Sequence, residues 1–183
     1  MSATTARPQS TGPRVVLVGP PGAGKTTVGK ALAQRWGVEF RDSDVDVEAA
    51  VGMPVADVFV ALGESVFREH ERVAVATALR DHAGVLALGG GAVMTPAVAD
   101  LISEARVVFL DVSLADAGTR VGLNVARPLL LGNVRGQLKA LMEARRPTYE
   151  RVARAVVDTS GRSVEEVVLA VEVALGALDR PDA

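Results

Sequence analysis

The stretch Val15-Val16-Leu17-Val18-Gly19-Pro20-Pro21-Gly22-Ala23-Gly24-Lys25-Thr26 decides the fold. Four apolar residues, most of them β-branched, read as a buried strand, and the spacing G-x-x-x-x-G-K-[ST] that follows reads as a phosphate-binding loop. Gly22 and Gly24 let the backbone curl with its N–H groups inward, Ala23 contributes backbone, and Thr27 closes the nucleotide-binding run. Lys25 is expected to reach the β- and γ-phosphates, and the Thr26 hydroxyl to ligate Mg²⁺. A helical pattern (Val28, Ala31, Leu32) begins where this motif needs one. Strand, loop and helix together select an α/β protein that handles a nucleotide.

The chain has 183 residues, 49% of them hydrophobic and 23% charged, with a formal net charge of −2. That length suits one α/β domain with its own core, and the balanced charge gives no electrostatic reason to expect a nucleic acid partner. Aromatic content of 3% leaves little for base stacking. With no cysteine, disulfides, thiol nucleophiles and zinc–thiolate sites are excluded. Residues 1–13 are polar without an apolar segment, and read as a disordered leader rather than a signal peptide. No apolar run is long enough to cross a bilayer, so a cytoplasmic protein without a membrane partner is expected.

Working outward, strand 1 covers Arg14 to Val18 and its helix Lys25 to Trp36, ended by Gly37. The run Val38 to Arg41 reads as extended and leads to Asp42-Ser43-Asp44, whose two carboxylates are expected to point the same way at the carboxyl end of a strand. Carboxylates that cap the next helix are the competing reading at that spacing. From Asp44 to about Ala83 the pattern is helical, with breaks at Gly52-Met53-Pro54 and Gly63, which predicts three helices. Val85 to Leu88 predicts strand 3 and ends in Gly89-Gly90-Gly91, a turn that backbone and ligand can approach closely. Strand 4 (Val107 to Leu110), strand 5 (Ala155 to Asp158) and helices near 96–104, 114–121, 137–153 and 163–178 complete the alternation. Strands alternating with helices predict a parallel sheet covered on both faces. Residues 122–135, with Gly122, Asn124, Pro128, Gly132 and Asn133, read as a covering loop.

Phosphoryl transfer requires positioning, charge neutralisation and an acceptor hydroxyl whose proton has somewhere to go. Of Asp42 and Asp44, one can support the metal shell while the other accepts a hydrogen bond from the acceptor hydroxyl. In Gly63-Glu64-x-x-Phe67-Arg68-x-x-Glu71, the helical spacing lets Glu71 fix Arg68 for a bidentate grip on a carboxylate, although an exposed surface ion pair fits the same spacing. His70 and His82 read as surface and structural residues. Asp111, after the apolar run of strand 4, is a weaker metal candidate than Asp42. The D-x-x-G and N-K-x-D motifs of GTP-binding proteins are absent.

These residues, together with Asn124-Val125-Ala126-Arg127-Pro128-Leu129-Leu130 and Arg145-x-Pro147-x-Tyr149, resemble the shikimate kinase family in the family's order across most of residues 14–178. The resemblance implies a nucleoside-monophosphate-kinase-like P-loop fold, three layers α/β/α with a five-stranded parallel sheet of order 2-3-1-4-5. It implies transfer of the γ-phosphoryl group of ATP to the 3-hydroxyl of shikimate, with Mg²⁺ as cofactor, ATP and shikimate as partners, and a monomer. It assigns the acceptor to residues 45–75, a lid to 122–135 and a frayed tail to 179–183. Lys25, Asp44 and Arg127 are then catalytic; Arg68, Arg145, Gly89, Gly90 and Gly91 join Asp44 in holding shikimate. Thr26 and Asp42 support the metal, and Arg120 and Arg162 flank adenine. Phe59, Phe67 and Pro128 are implied as walls of the acceptor pocket. Another small-molecule kinase, such as one acting on gluconate, and a non-catalytic ATP-binding switch are the competing functions.

Overall fold

Every residue of the first strand, β1 (Val15–Val18), is buried, which requires cover on both faces of the sheet. The computed structural model describes residues 12–122 and 133–179. After β1 come α1 (Lys25–Trp36), β2 (Phe40–Asp42), α2 (Ser43–Val51), α3 (Val55–Leu62), α4 (Glu64–Asp81) and β3 (Val85–Ala87). A 3₁₀ turn at Ala92–Met94 leads to α5 (Pro96–Leu101), β4 (Val107–Asp111) and α6 (Leu114–Arg120). The described chain closes with α7 (Val134–Val152), β5 (Ala155–Asp158) and α8 (Val164–Leu178).

All strand pairs are parallel and the order is β2-β3-β1-β4-β5, as the family resemblance implies. Alternation along β1 divides the core in two. Val15 and Leu17 pack with Leu32, Val108, Leu110, Val168 and Val171 beneath α1 and α8. Val16 and Val18 pack with Val75, Leu86, Leu88, Ile102, Phe109 and Tyr149 on the opposite face. A smaller cluster of Val47, Val58, Phe67 and Ala74 ties α2, α3 and α4 together beside the sheet.

Several boundaries differ from the sequence reading for local reasons. Asn133 caps α7, its side chain accepting from the Gly136 N–H at 3.2 Å, so 133–135 belong to a helix start and not to the covering loop. At the amino end Pro13 is buried and the Arg14 N–H donates to the Gly84 carbonyl at 2.8 Å, so both residues are fixed to the domain ahead of β1. Asp179 pairs with Arg106 at 2.7 Å and is therefore anchored. Residues 1–11 of the leader, 123–132 of the covering loop and 180–183 of the tail lie outside the described residues.

The start of α8 is a capping box: the Glu166 N–H donates to Ser163 Oγ, and the Glu166 carboxylate accepts from the Ser163 N–H at 2.7 Å. That backbone hydrogen bond holds the Glu166 carboxyl below its ordinary range. Stability from such a depressed carboxyl is complete above the ordinary glutamate range and disappears as pH falls through the lowered value. Replacing Ser163 by Ala should cost about 1 kcal/mol at neutral pH, read as a thermal midpoint about 2–4 °C lower. The Ser163 hydroxyl also donates to the Glu166 carboxylate at 2.8 Å, and Ala loses that bond while keeping the backbone one, so the gap to wild type should narrow as the buffer is acidified; a gap of constant size across pH would show that the hydroxyl does not favour the ionised Glu166.

Candidate active site

Parallel register sets the geometry of the site. Leu17 of β1 pairs with Ala87 of β3, and Ala87 pairs with Asp42 of β2, so one row crosses three strands. Just beyond that row the chain leaves the sheet as the phosphate loop, the triglycine turn and the Asp42-Ser43-Asp44 turn. Three loops far apart in sequence thus open side by side at the carboxyl edge, the usual ligand edge of such a sheet.

In the phosphate loop Gly22 has φ 78° and abuts α6, where a Cβ would come within 2.8 Å of the Ala117 carbonyl oxygen. Only glycine satisfies both limits. Lys25 Nζ donates to the Gly19 carbonyl at 2.8 Å and the Pro20 carbonyl at 3.1 Å. Burial lowers the Lys25 pKa to about 8, against the upward pull of Asp44 and Asp42, and Arg145 adds to the lowering. Thr26 Oγ1 donates to Asp42 Oδ2 at 3.0 Å, which joins the hydroxyl and carboxylate expected to support a metal.

The Asp42-x-Asp44 pair is not extended, in contrast to the sequence reading. Asp42 ends β2 and is the N-cap of α2, its Oδ1 accepting from the Asp44 N–H at 3.1 Å. Asp44 therefore sits in the first turn of a helix, and the capping reading holds for Asp42 alongside its contact with Thr26. Burial, then the neighbouring Asp42 carboxylate, raises the Asp44 pKa; Lys25 and Arg68 oppose the rise. Asp44 lies so close to the triglycine turn that a Cβ on Gly89 would collide with its carboxylate.

The three glycines differ in what they still offer. Ser43, completely buried, accepts the Gly89 N–H on its Oγ at 2.9 Å, so that donor is spent within the protein. The Gly90 carbonyl accepts from the Tyr149 hydroxyl. Among the described residues the N–H groups of Gly90 and Gly91 have no hydrogen-bond partner. Gly91 lies against the Arg68 guanidinium.

Arg68 donates to Glu71 at 2.8 Å and to Glu64 at 3.2 Å, and Glu71 is only 1% exposed. The pair is thus a built feature of the interior and not a surface ion pair. Burial pushes the Glu71 carboxyl up while Arg68 opposes that shift. The Phe59 and Phe67 rings lie 4.3 Å apart with Arg68 over both, as walls beside the guanidinium. Arg145, on α7, influences Lys25, Glu71 and Tyr149 electrostatically and so faces the same site.

A cleft of about 240 Å³ on the other side of the loop is lined by Ala23, Gly24, Thr27, Arg120, Thr159 and Arg162. Arg120 is held there by the Gly22 carbonyl at 3.2 Å and by Thr159, whose carbonyl accepts at 2.8 Å and hydroxyl at 3.0 Å. Asp111 pairs bidentately with Arg146, which occupies its carboxylate and removes it from the candidate metal set. His82 is buried with Nε2 3.0 Å from the Val85 carbonyl, in keeping with a structural role. Arg127 and Pro128 lie outside the described residues. Ser43, Thr159 and Tyr149 were missed as site residues; their partners lie 39 to 59 positions away, and Ser43 and Tyr149 stood in quoted motifs without a role of their own.

Comparison with known proteins matches residues 21–175 to the shikimate kinase family model. The chain is 57% identical over 164 residues to a shikimate kinase of Frankia casuarinae, covering 90% of this chain and 73% of that one. The structure of a shikimate kinase from Acinetobacter baumannii in complex with shikimate superposes with a TM-score of 0.85 at 30% identity, covering 94% of this chain and 97% of that one. A gluconokinase from Sinorhizobium meliloti shares the fold alone, with a TM-score of 0.61 at 20% identity over 93% of this chain and 94% of that one.

The contrast between two ion pairs of α4 is open to test. Glu71→Ala leaves the half-buried Arg68 guanidinium without its buried partner, and should lower the thermal midpoint by roughly 5 °C. Glu69→Ala breaks an exposed pair with Arg72 and should leave it within about 1 °C. Equal midpoints for the two variants would refute the distinction.

Proposed function

The chain belongs to the shikimate kinase family, and we propose that the residues gathered at the carboxyl edge of its sheet carry that family's reaction as follows. The protein is an ATP-dependent kinase that transfers the γ-phosphoryl group to the 3-hydroxyl of shikimate, giving 3-phosphoshikimate and ADP. The observation that carries the residue assignment is the place of Asp44, a carboxylate held between Lys25, Arg68 and the triglycine turn.

The nucleotide phosphates lie on the loop of Gly22, Ala23, Gly24, Lys25, Thr26 and Thr27, with Lys25 bridging towards the transferred group. Arg120 and Arg162, in the 240 Å³ cleft, flank the base. Thr26 and Asp42 suit Mg²⁺, because a hydroxyl and a carboxylate 3.0 Å apart are hard oxygen donors, and this ion needs few protein ligands when phosphates supply the rest. Bound there, Mg²⁺ would neutralise charge on the phosphate oxygens.

Shikimate carries one carboxylate and three hydroxyls. Arg68, fixed by Glu71, and Arg145 clamp the carboxylate, and the free N–H groups of Gly90 and Gly91 donate to the acceptor. Asp44 accepts a hydrogen bond from the 3-hydroxyl and orients its oxygen towards the γ-phosphorus. The new P–O bond forms as the bond to the oxygen bridging the β-phosphate breaks; ADP leaves, and the hydroxyl proton passes to Asp44. The raised pKa of Asp44 suits a group that must hold that proton. Arg127 is assigned to charge stabilisation during transfer on sequence alone.

Residues 14–178 act as one kinase domain, with 45–75 at the acceptor and the covering loop that ends before Asn133 as lid, and the protein works as a cytoplasmic monomer. No helix among the described residues is long and apolar enough to cross a membrane.

Release of ADP from Mg²⁺-ATP should be strong with shikimate and near background with gluconate or with no acceptor. Asp44→Asn should lower kcat for shikimate by about 10²- to 10⁴-fold with ATP affinity within a few-fold of wild type. Equal ADP release in all three reactions would point to an ATPase or a switch, and normal turnover by the Asn variant would remove Asp44 from the reaction.

A further inference from the structure

Tyr149 is among the largest fully buried side chains, 1% exposed, yet it carries a hydroxyl that must be satisfied. Its ring stacks on Phe109 of β4 with centroids 5.1 Å apart. The hydroxyl donates to the Gly90 carbonyl, 59 residues away in sequence. Arg145 precedes Tyr149 by one helical turn on the same face of α7, and its guanidinium lies within reach of the phenolic oxygen. A phenol gives one proton and keeps lone pairs, so donation to Gly90 leaves an acceptor for Arg145.

The contact with Gly90 also orients the next donor. In a trans peptide the C=O of one residue and the N–H of the next point in opposite directions. Holding the Gly90 carbonyl on Tyr149 therefore aims the Gly91 N–H away from α7, and that N–H has no partner among the described residues. From the other side, Ser43 holds the preceding N–H of Gly89. The turn is thus gripped at both ends by hydroxyls from two different helices.

We propose that Tyr149 is a positioning residue of the acceptor site, whose one hydroxyl holds the Arg145 guanidinium and the Gly90–Gly91 peptide in a fixed relation to each other. This rests on the reading of Arg145 as part of the carboxylate clamp. Tyr149 touches no reacting atom; it acts by making the clamp on α7 and the donors after β3 converge on one acceptor.

A double-mutant cycle of Tyr149→Phe and Arg145→Ala, with KM for shikimate and for ATP as the readouts, tests it. Phe keeps the ring on Phe109 and removes only the hydroxyl. Tyr149→Phe should raise the shikimate KM about tenfold, the scale of one hydrogen bond to a charged group, with the ATP KM within about twofold. In the Arg145→Ala background the same change should add clearly less than tenfold, because one of the two groups it positions is gone and only the Gly90–Gly91 peptide remains. Full multiplication of the two effects would overturn the proposal, as would an equal rise in both KM values, which a loosened fold would give. If Arg145→Ala raises the shikimate KM but Tyr149→Phe does not, the positioning role falls and the clamp stands. If Arg145→Ala leaves that KM unchanged, the clamp falls and the positioning role falls with it.

Discussion

The constraint on which the rest of the structure depends is the parallel register of β2, β3 and β1. Because Asp42, Ala87 and Leu17 share one row, the three chain exits that follow must emerge at one level of one edge. A slip of one residue in β2 would turn its side chains to the opposite face and take Asp42 away from Thr26. Phe40 of β2, packed against the layer under α1 with its ring on Gly29, opposes that slip, while Val15 and Leu17 commit β1 to the same layer and Val16 and Val18 to the other. Precision at the site is therefore inherited from packing some way beneath it.

Across that edge the charges alternate. Lys25, Asp44, Arg68 and Glu71 follow one another so that each buried or half-buried charge has an opposite neighbour, and the described residues contain no buried side-chain polar atom without a partner. Such an arrangement avoids the desolvation penalty of an isolated charge. It also decides which charge remains available. Glu71 answers Arg68, and Asp44 answers Lys25, whereas Arg145 forms no ion pair among the described residues. The surplus positive charge therefore belongs to Arg145, which acts on Lys25, Glu71 and Tyr149.

Legibility in the sequence followed interaction range. The phosphate loop was readable because its conformation depends on residues within it: glycines at fixed spacing between an apolar run and a helix. The three helices between Asp44 and Ala83 were readable from Gly52-Met53-Pro54 and Gly63, and α2, α3 and α4 break there. The beginning of α2 was misplaced because Asp42-Ser43-Asp44 carries two compatible signals, a strand end and an N-cap, and sequence does not say how abruptly one yields to the other. Sheet order came from family resemblance, since hydrophobic periodicity identifies a strand without naming its neighbours. The roles of Ser43, Tyr149 and Thr159 depend on partners that only the fold brings near. Asp111 illustrates the converse: it stood in a plausible metal position, and a long-range bidentate contact with Arg146 occupies it.

Asp42 shows why structural and functional readings of one residue need not compete. Its two carboxylate oxygens are divided: Oδ1 accepts the Asp44 N–H and starts α2, while Oδ2 accepts from the Thr26 hydroxyl of the phosphate loop. The cap sets the first turn of the helix and thereby places Asp44 against the triglycine turn. Through one carboxylate, the turn that carries Asp44 is tied to the phosphate loop at Thr26. A side chain that supplied only a cap, such as serine, would start the helix but offer no second oxygen to the nucleotide. Asparagine would keep both contacts in outline but exchange an anionic oxygen for a neutral group beside a metal and a polyphosphate. On the proposed assignment aspartate alone meets both demands at this position, because the geometry of capping and the charge beside the phosphates are served by different atoms of the same group.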